Sequence, residues 1–145
     1  MGLDFYYTNK QNKQIRANFR FSYSGFNKFR KEIGEYFNID LDKMYGYCNE
    51  EFCNENCNKC KKVIHWDTIN DDIKILLHHS DCDGYIKYND LKLLLPRLKY
   101  VVKEFEKLNY NYFVYPDRNW FITKLEKLIL FIEECIENEA DLIFT

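Results

Sequence analysis

Catalytic signatures are missing from this sequence. It holds no G-x-S-x-G elbow, no phosphate-binding glycine loop, no dinucleotide fingerprint and no H-E-x-x-H pair, so the reactions read from those motifs are excluded. Proline and glycine are scarce, two and five in 145 residues, and no linker, repeat or second domain shows in the pattern; a chain of this length fits one domain over 1–145. No apolar run approaches the ~18 residues a spanning helix needs, and the start carries neither a basic n-region nor an apolar h-region. Tyr6 stands where a myristoylation signal requires Ser or Thr. The expectation is a cytoplasmic chain, without membrane contact and with reduced thiols. A large charge excess is also lacking: 21 Lys and Arg against 23 Asp and Glu give a net charge of −2, so general attraction to nucleic acid is not implied.

Aromatic bulk is abundant, with twelve Phe, twelve Tyr and two Trp. Leu3, Phe5 and Tyr7 alternate with Asp4, Tyr6 and Thr8, the period of a half-buried strand. After a polar turn, Ile15, Ala17, Phe19, Phe21 and Tyr23 alternate with Arg16, Asn18, Arg20 and Ser22, which predicts a hairpin with one apolar and one basic face. Ser24 is the expected cap of a helix with Phe26, Phe29, Ile33 and Phe37 along one stripe. A second helix is predicted to open at Asn70 with Asp71 and Asp72 in its first turn. A third, bent at Pro96, carries Leu98, Val102, Phe105 and Leu108. A last helix follows Pro116 and Asp117 and buries Phe121, Leu125, Leu128, Ile132, Cys135 and Ile136. Leu142 to Phe144 is expected to add a strand to the hairpin. The sum is an α+β fold: a small antiparallel sheet packed on about four helices, interrupted by a Cys-rich insertion over 47–62.

In that insertion Cys48, Cys53, Cys57 and Cys60 fall within thirteen residues, spaced C-x4-C-x3-C-x2-C. Clustered thiols in a reducing compartment point to a soft metal, and four thiolates match a closed, structural zinc site that would organise an Asn- and Glu-rich stretch. Free or redox-active thiols, an iron–sulfur cluster and disulfides are the alternatives. Cys135 lies on an apolar helix face and reads as a small buried hydrophobe.

Between the second and third helical patterns, residues 79–90 read HSDCDGYIKYND. A twelve-residue calcium loop places oxygen ligands at positions one, three, five, seven, nine and twelve, with glycine at six and an apolar residue at eight. Asp81, Asp83, Gly84, Ile86 and Asp90 fill positions three, five, six, eight and twelve. His79 at position one is a nitrogen ligand, and Asp90 is a methylene shorter than the usual glutamate, so calcium or magnesium at Asp81, Asp83 and Asp90 is the weaker of the two metal expectations. The bland alternative is a helix corner with Asp81 and Asp83 bonding the backbone and Gly84 supplying a positive φ. The acidic excess of 63–90, six acids against two bases, suits either reading.

The opening Met1–Gly2–Leu3–Asp4, the segment Ser22–Tyr23–Ser24–Gly25–Phe26 and the run Leu76–Leu77–His78–His79–Ser80–Asp81–Cys82–Asp83–Gly84 together resemble an uncharacterised family of small bacterial and phage-borne proteins. The resemblance covers roughly two thirds of the chain, and HSDCDG is its most specific part. It implies a compact accessory protein of mobile-element origin and carries no catalytic residues; Asn89–Asp90 departs from the glutamate-containing end usual in the family.

Two surfaces are the candidate binding sites: the outward face of the second strand, with Arg16, Asn18 and Arg20, and a connector carrying Tyr110, Tyr112 and Tyr115 beside Lys103, Lys107 and Arg118. Aromatics interleaved with cations anchor protein partners or stack bases. The expected function is a non-catalytic, metal-stabilised interaction protein with a protein partner. A phage-derived inhibitor that occupies a host defence complex is one concrete form of it. The alternatives are a module that sequesters a nucleotide or small anion, and an enzyme using a divalent cation at the loop.

Overall fold

A computed structural model describes residues 2–44, 64–79, 83–107 and 118–145, Arg118 by its backbone alone. Alternation along the first two segments does what it predicts. Gly2–Thr8 (β1) and Gln14–Ser22 (β2) pair antiparallel, with Leu3, Phe5, Tyr7, Ala17, Phe19 and Phe21 buried on one side. Phe5 is the hub of that layer: its ring lies 5.2 Å from Phe19, 5.9 Å from Phe21, 6.0 Å from Phe26 and 5.7 Å from Phe144. Each buried ring of this kind contributes about 1.5–3 kcal/mol through removal from water.

The chain turns directly from β2 into Tyr23–Tyr36 (α1), and the cap is Ser22 rather than Ser24. Ser22 Oγ accepts from the Gly25 N–H at 3.0 Å, the third residue on, which is the reach a capping hydroxyl has; Ser24 already lies inside the first turn. Phe26, Phe29 and Ile33 form the buried stripe as predicted. The helix ends where Asn38 takes a φ of 58° and Ile39 N–H reaches back to the Gly34 carbonyl at 2.7 Å. That return passes so close to Gly34 that a β-carbon there would sit 2.7 Å from the Ile39 carbonyl oxygen.

A short 3-10 turn, Leu41–Lys43, leads to Met44, which forms a parallel bridge with Ile64; Ile64 N–H donates to the Lys43 carbonyl at 2.7 Å. The chain thus leaves this point and returns to it side by side. The helix predicted from Asn70 is shorter than its sequence pattern. Only Lys74–Leu77 (α2) is α-helical, because Asp71 folds the preceding residues into a tight turn: its Oδ1 accepts from Ile73 N–H at 2.9 Å, and Lys74 N–H bonds the Asp71 carbonyl at 3.1 Å.

Gly84–Ile86 (β3) is followed by Tyr88–Lys107 (α3), which runs on through Pro96. Arg118–Glu137 (α4) packs along it, and Leu91, Leu94, Leu98, Val101 and Phe105 meet a core shared with Phe121, Leu125, Leu128, Ile132 and Cys135. The expected apolar tail is Leu142–Phe144 (β4), and it does join the hairpin through Phe5↔Phe144 and Tyr6↔Ile143. On its other side it pairs antiparallel with β3, giving a sheet of order β2-β1-β4-β3. The architecture is α+β: a four-stranded antiparallel sheet with four helices among the described residues. The Cys-rich insertion lies outside those residues.

Candidate functional site: the outward face of the sheet

Because side chains alternate along a strand, burying Leu3, Phe5 and Tyr7 turns Asp4 and Tyr6 to the other side, with Arg16, Asn18 and Arg20 of β2. Register then aligns them. Arg16 lies opposite Tyr6, Tyr6 opposite Ile143, and Ile143 opposite Tyr85, so one row crosses all four strands. Three strand spacings of about 4.8 Å set the backbone ends of that row about 14 Å apart. Tyr85 is 58 % exposed and Ile143 39 %, and both belong to the few large apolar side chains this surface leaves open.

The basic end of the row is organised by one carboxylate. Asp4 Oδ1 accepts from Arg16 at 2.7 Å and lies 3.6 Å from the Arg20 guanidinium; the two arginine side chains remain 58 % and 57 % exposed. A hollow of about 250 Å³ opens here, lined by Asp4, Arg16, Ala17, Asn18, Phe19 and Arg20. At the edge of β2, which has no partner strand among the described residues, Lys124 Nζ from α4 donates to the Arg20 carbonyl and sits 5.2 Å from the centre of the Phe21 ring. A lysine on an otherwise unpaired strand edge discourages addition of another strand.

The predicted calcium loop has a different local logic. Asp83 is exposed just before β3, while Asp90 is half-buried in the first turn of α3. Both Asp90 and His79 line a second hollow of about 490 Å³, together with Lys74, His78, Tyr85 and Lys87. Gly84 does not serve as a left-handed turn residue: its φ lies outside that region, and it sits in a strand where a β-carbon would meet the Phe144 ring at 2.5 Å, so the close approach is what calls for glycine. His79 is held neutral. Burial, then the charges of His78 and Arg30, push it down to about 4, against a hydrogen bond to the Ile75 backbone and the opposite charge of Asp90. Arg30, 1 % exposed and 4.6 Å over the Phe26 ring, donates to the His79 carbonyl. A guanidinium therefore already sits at the first residue of the loop, and a divalent cation bound there would meet a like charge.

Of the residues singled out from sequence, Arg16 and Arg20 are brought together, and Asp83 and Asp90 flank β3. Cys48, Cys53, Cys57, Cys60, Asp81, Tyr110, Tyr112 and Tyr115 lie outside the described residues, and Arg118 opens α4. Among the described residues no three His, Cys, Asp or Glu side chains converge as a metal site, and no helix is long and apolar enough to cross a membrane. Cys135 is fully buried, as its helix face predicts. Sequence reasoning missed Tyr6, Tyr85 and Ile143. The alternation that exposes Tyr6 was visible, but the pairing of β4 with both β1 and β3 was not. Comparison with protein-family models, curated proteins and solved structures found no match.

Proposed function

We propose that this chain is a non-catalytic interaction protein whose contact surface for a protein partner is the outward face of the sheet. The observation that carries the reading is the row Arg16–Tyr6–Ile143–Tyr85, in which register alone lines up one cation, two tyrosines and a branched aliphatic. Tyr and Arg are the residues most enriched at the energetic centres of protein interfaces, and strands hold them in place at little cost in ordering. Against nucleotide sequestration at Arg16 and Arg20, the hollow beside them measures about 250 Å³ and has a carboxylate in its lining, whereas small-molecule sites run to about 300–1,000 Å³. The resemblance to phage-borne accessory proteins makes an inhibitor that occludes a host defence complex the concrete form of the proposal. Zinc at the four clustered cysteines would serve stability in this reading, not contact.

Site-specific photo-cross-linking tests it. A benzoylphenylalanine placed at Asn18 or Tyr85 in cells is expected to give defined protein adducts, while the same group at Glu126, exposed on α4, gives none. Adducts from Glu126 alone, or from neither face position, would overturn the proposal.

A further inference from the structure

The two strands of the hairpin do not keep one register. Asp4 lies opposite Arg20, but two residues later Tyr6 lies opposite Arg16, so β2 accommodates two residues more than β1 between these pairs. In an unbroken ladder Tyr6 would face Asn18, and Arg16 would sit a further step along the strand. An irregularity of this kind bends the strand and re-aims its side chains. Because the slip is an even number of residues, Arg16, Asn18 and Arg20 all stay on the outward face, and both guanidinium groups come to rest over one oxygen of Asp4.

The result is a patch with a countable charge. On the outward face itself two cations meet one carboxylate, which leaves a single positive charge there; Lys124 stands at the strand edge on the α4 side, beside the Arg20 carbonyl and the buried Phe21 ring. Each guanidinium has five N–H donors, and among the described residues the only side-chain acceptor for either is Asp4. Asp4 is itself 19 % exposed, so an incoming anion must tolerate it nearby. One carboxylate balances the patch. A phosphate dianion or a polyanionic backbone leaves charge unmatched beside Asp4, on a chain whose net charge is −2. Immediately beyond Arg16 the row turns apolar, through Tyr6 and Ile143 to Tyr85.

We infer that the segment docking on this face belongs to a protein and presents an aspartate or glutamate to Arg16 and Arg20, with an aromatic or branched aliphatic side chain alongside to cover Tyr6 and Ile143. The inference rests on the sheet face being the contact surface. It adds the chemistry of the occupant.

The test is selection of random twelve-residue peptides displayed on phage against the immobilised full chain, followed by affinity measurement with synthetic peptides. Enriched peptides are expected to place Asp or Glu next to an aromatic or aliphatic residue. Arg16→Gln and Arg20→Gln should each weaken them about five- to tenfold, the range of a partly exposed charge-assisted bond. Asp4→Asn should tighten them, a gain that damage to the fold does not produce. Peptides that lose binding in Ile143→Asp yet ignore both arginine variants and Asp4→Asn would overturn the inference while leaving the sheet face as the contact surface. No enriched peptides, or peptides indifferent to every variant on this face, would overturn both. Binding of a fluorescein-labelled oligothymidylate of fifteen nucleotides that weakens in Tyr6→Ala and Arg16→Gln would replace the protein partner with single-stranded nucleic acid.

Discussion

Glu32 is the side chain whose chemistry is least predictable from its neighbours in sequence. It lies on α1 only 9 % exposed, and its Oε2 has no hydrogen-bond partner among the described residues. Burial, helped by the nearby charge of Glu35, pushes its carboxyl up to about 7. A carboxyl raised in this way is favoured in its protonated form by the fold. The associated stability is complete below the unfolded value near 4.5 and is lost as pH rises through about 7. His79, depressed to about 4, slopes the opposite way between about 4 and 6.5, so the wild-type profile is a sum of the two. The difference between variants separates them. Glu32→Gln should match the wild type in melting temperature near pH 4.5 and exceed it progressively up to pH 8. The gain there should be roughly 1–2 kcal/mol once solvent screening is allowed for. Parallel melting curves for the two proteins across that range would refute the assignment. None of this was legible in the sequence, where Glu32 is one of four acids in residues 1–40 and has no motif around it.

Elements were legible where the apolar period ran long, and illegible where a distant side chain decided their ends. β1, β2, α1 and the buried faces of α3 and α4 follow directly from alternation or helical spacing, since Phe26, Phe29, Ile33 and the Leu run of α3 have only one way to bury together. The start of α3 is different. Its Tyr88 N–H is capped by Asp141, 53 residues away, through Oδ1 at 2.8 Å. A local reading looks for a cap within a few residues and cannot find this one. The shortness of α2 has a similar cause, because Asp71 makes a bidentate pair with Arg97 at 2.9 and 2.7 Å. Arg97 in turn lies 4.8 Å over the Tyr100 ring and 5.2 Å over that of Phe37. Although burial opposes it, these bonds and the Ile73 N–H hold the Asp71 carboxyl below its ordinary range. The Asp141 cap gives the sharper test. Asp141→Ala should cost about 1 kcal/mol in chemical denaturation, and Asp141→Asn, which keeps an acceptor, only a fraction of that. Equal losses in the two variants would mean that the contact contributes through charge rather than through the capped N–H.

For the whole molecule, the decisive feature is that the last strand in sequence is an inner strand in space. β4 stands between β1 and β3, and Leu142 and Phe144 are each 1 % exposed. The Phe144 ring centre lies 5.7 Å from those of Phe5 and Phe26 and 5.5 Å from that of His79, at right angles to it, while Thr145 exchanges backbone bonds with Asp4 at 2.9 and 3.1 Å. Five residues therefore join the hairpin, α1, β3 and, through Asp141, the start of α3. The sequence marked this segment as an apolar strand beside the hairpin, but β3 lay hidden in a loop read for its carboxylates, so the continuous four-stranded face could not be foreseen. Strand-to-strand contacts of this separation form only once the chain has closed large loops, a cost in chain entropy that the burial of Leu142 and Phe144 must offset. Replacing both Leu142 and Phe144 with Ser leaves the helices their local sequences but removes two buried side chains, each such loss costing about 2–5 kcal/mol. Against a total stability of about 5–15 kcal/mol, the double variant should lose its cooperative thermal transition while far-ultraviolet circular dichroism keeps part of its helical signal. A sharp transition within a few degrees of the wild type would show that the hairpin and helices stand without β4, and the sheet face proposed as the contact surface would then consist of β1 and β2 alone.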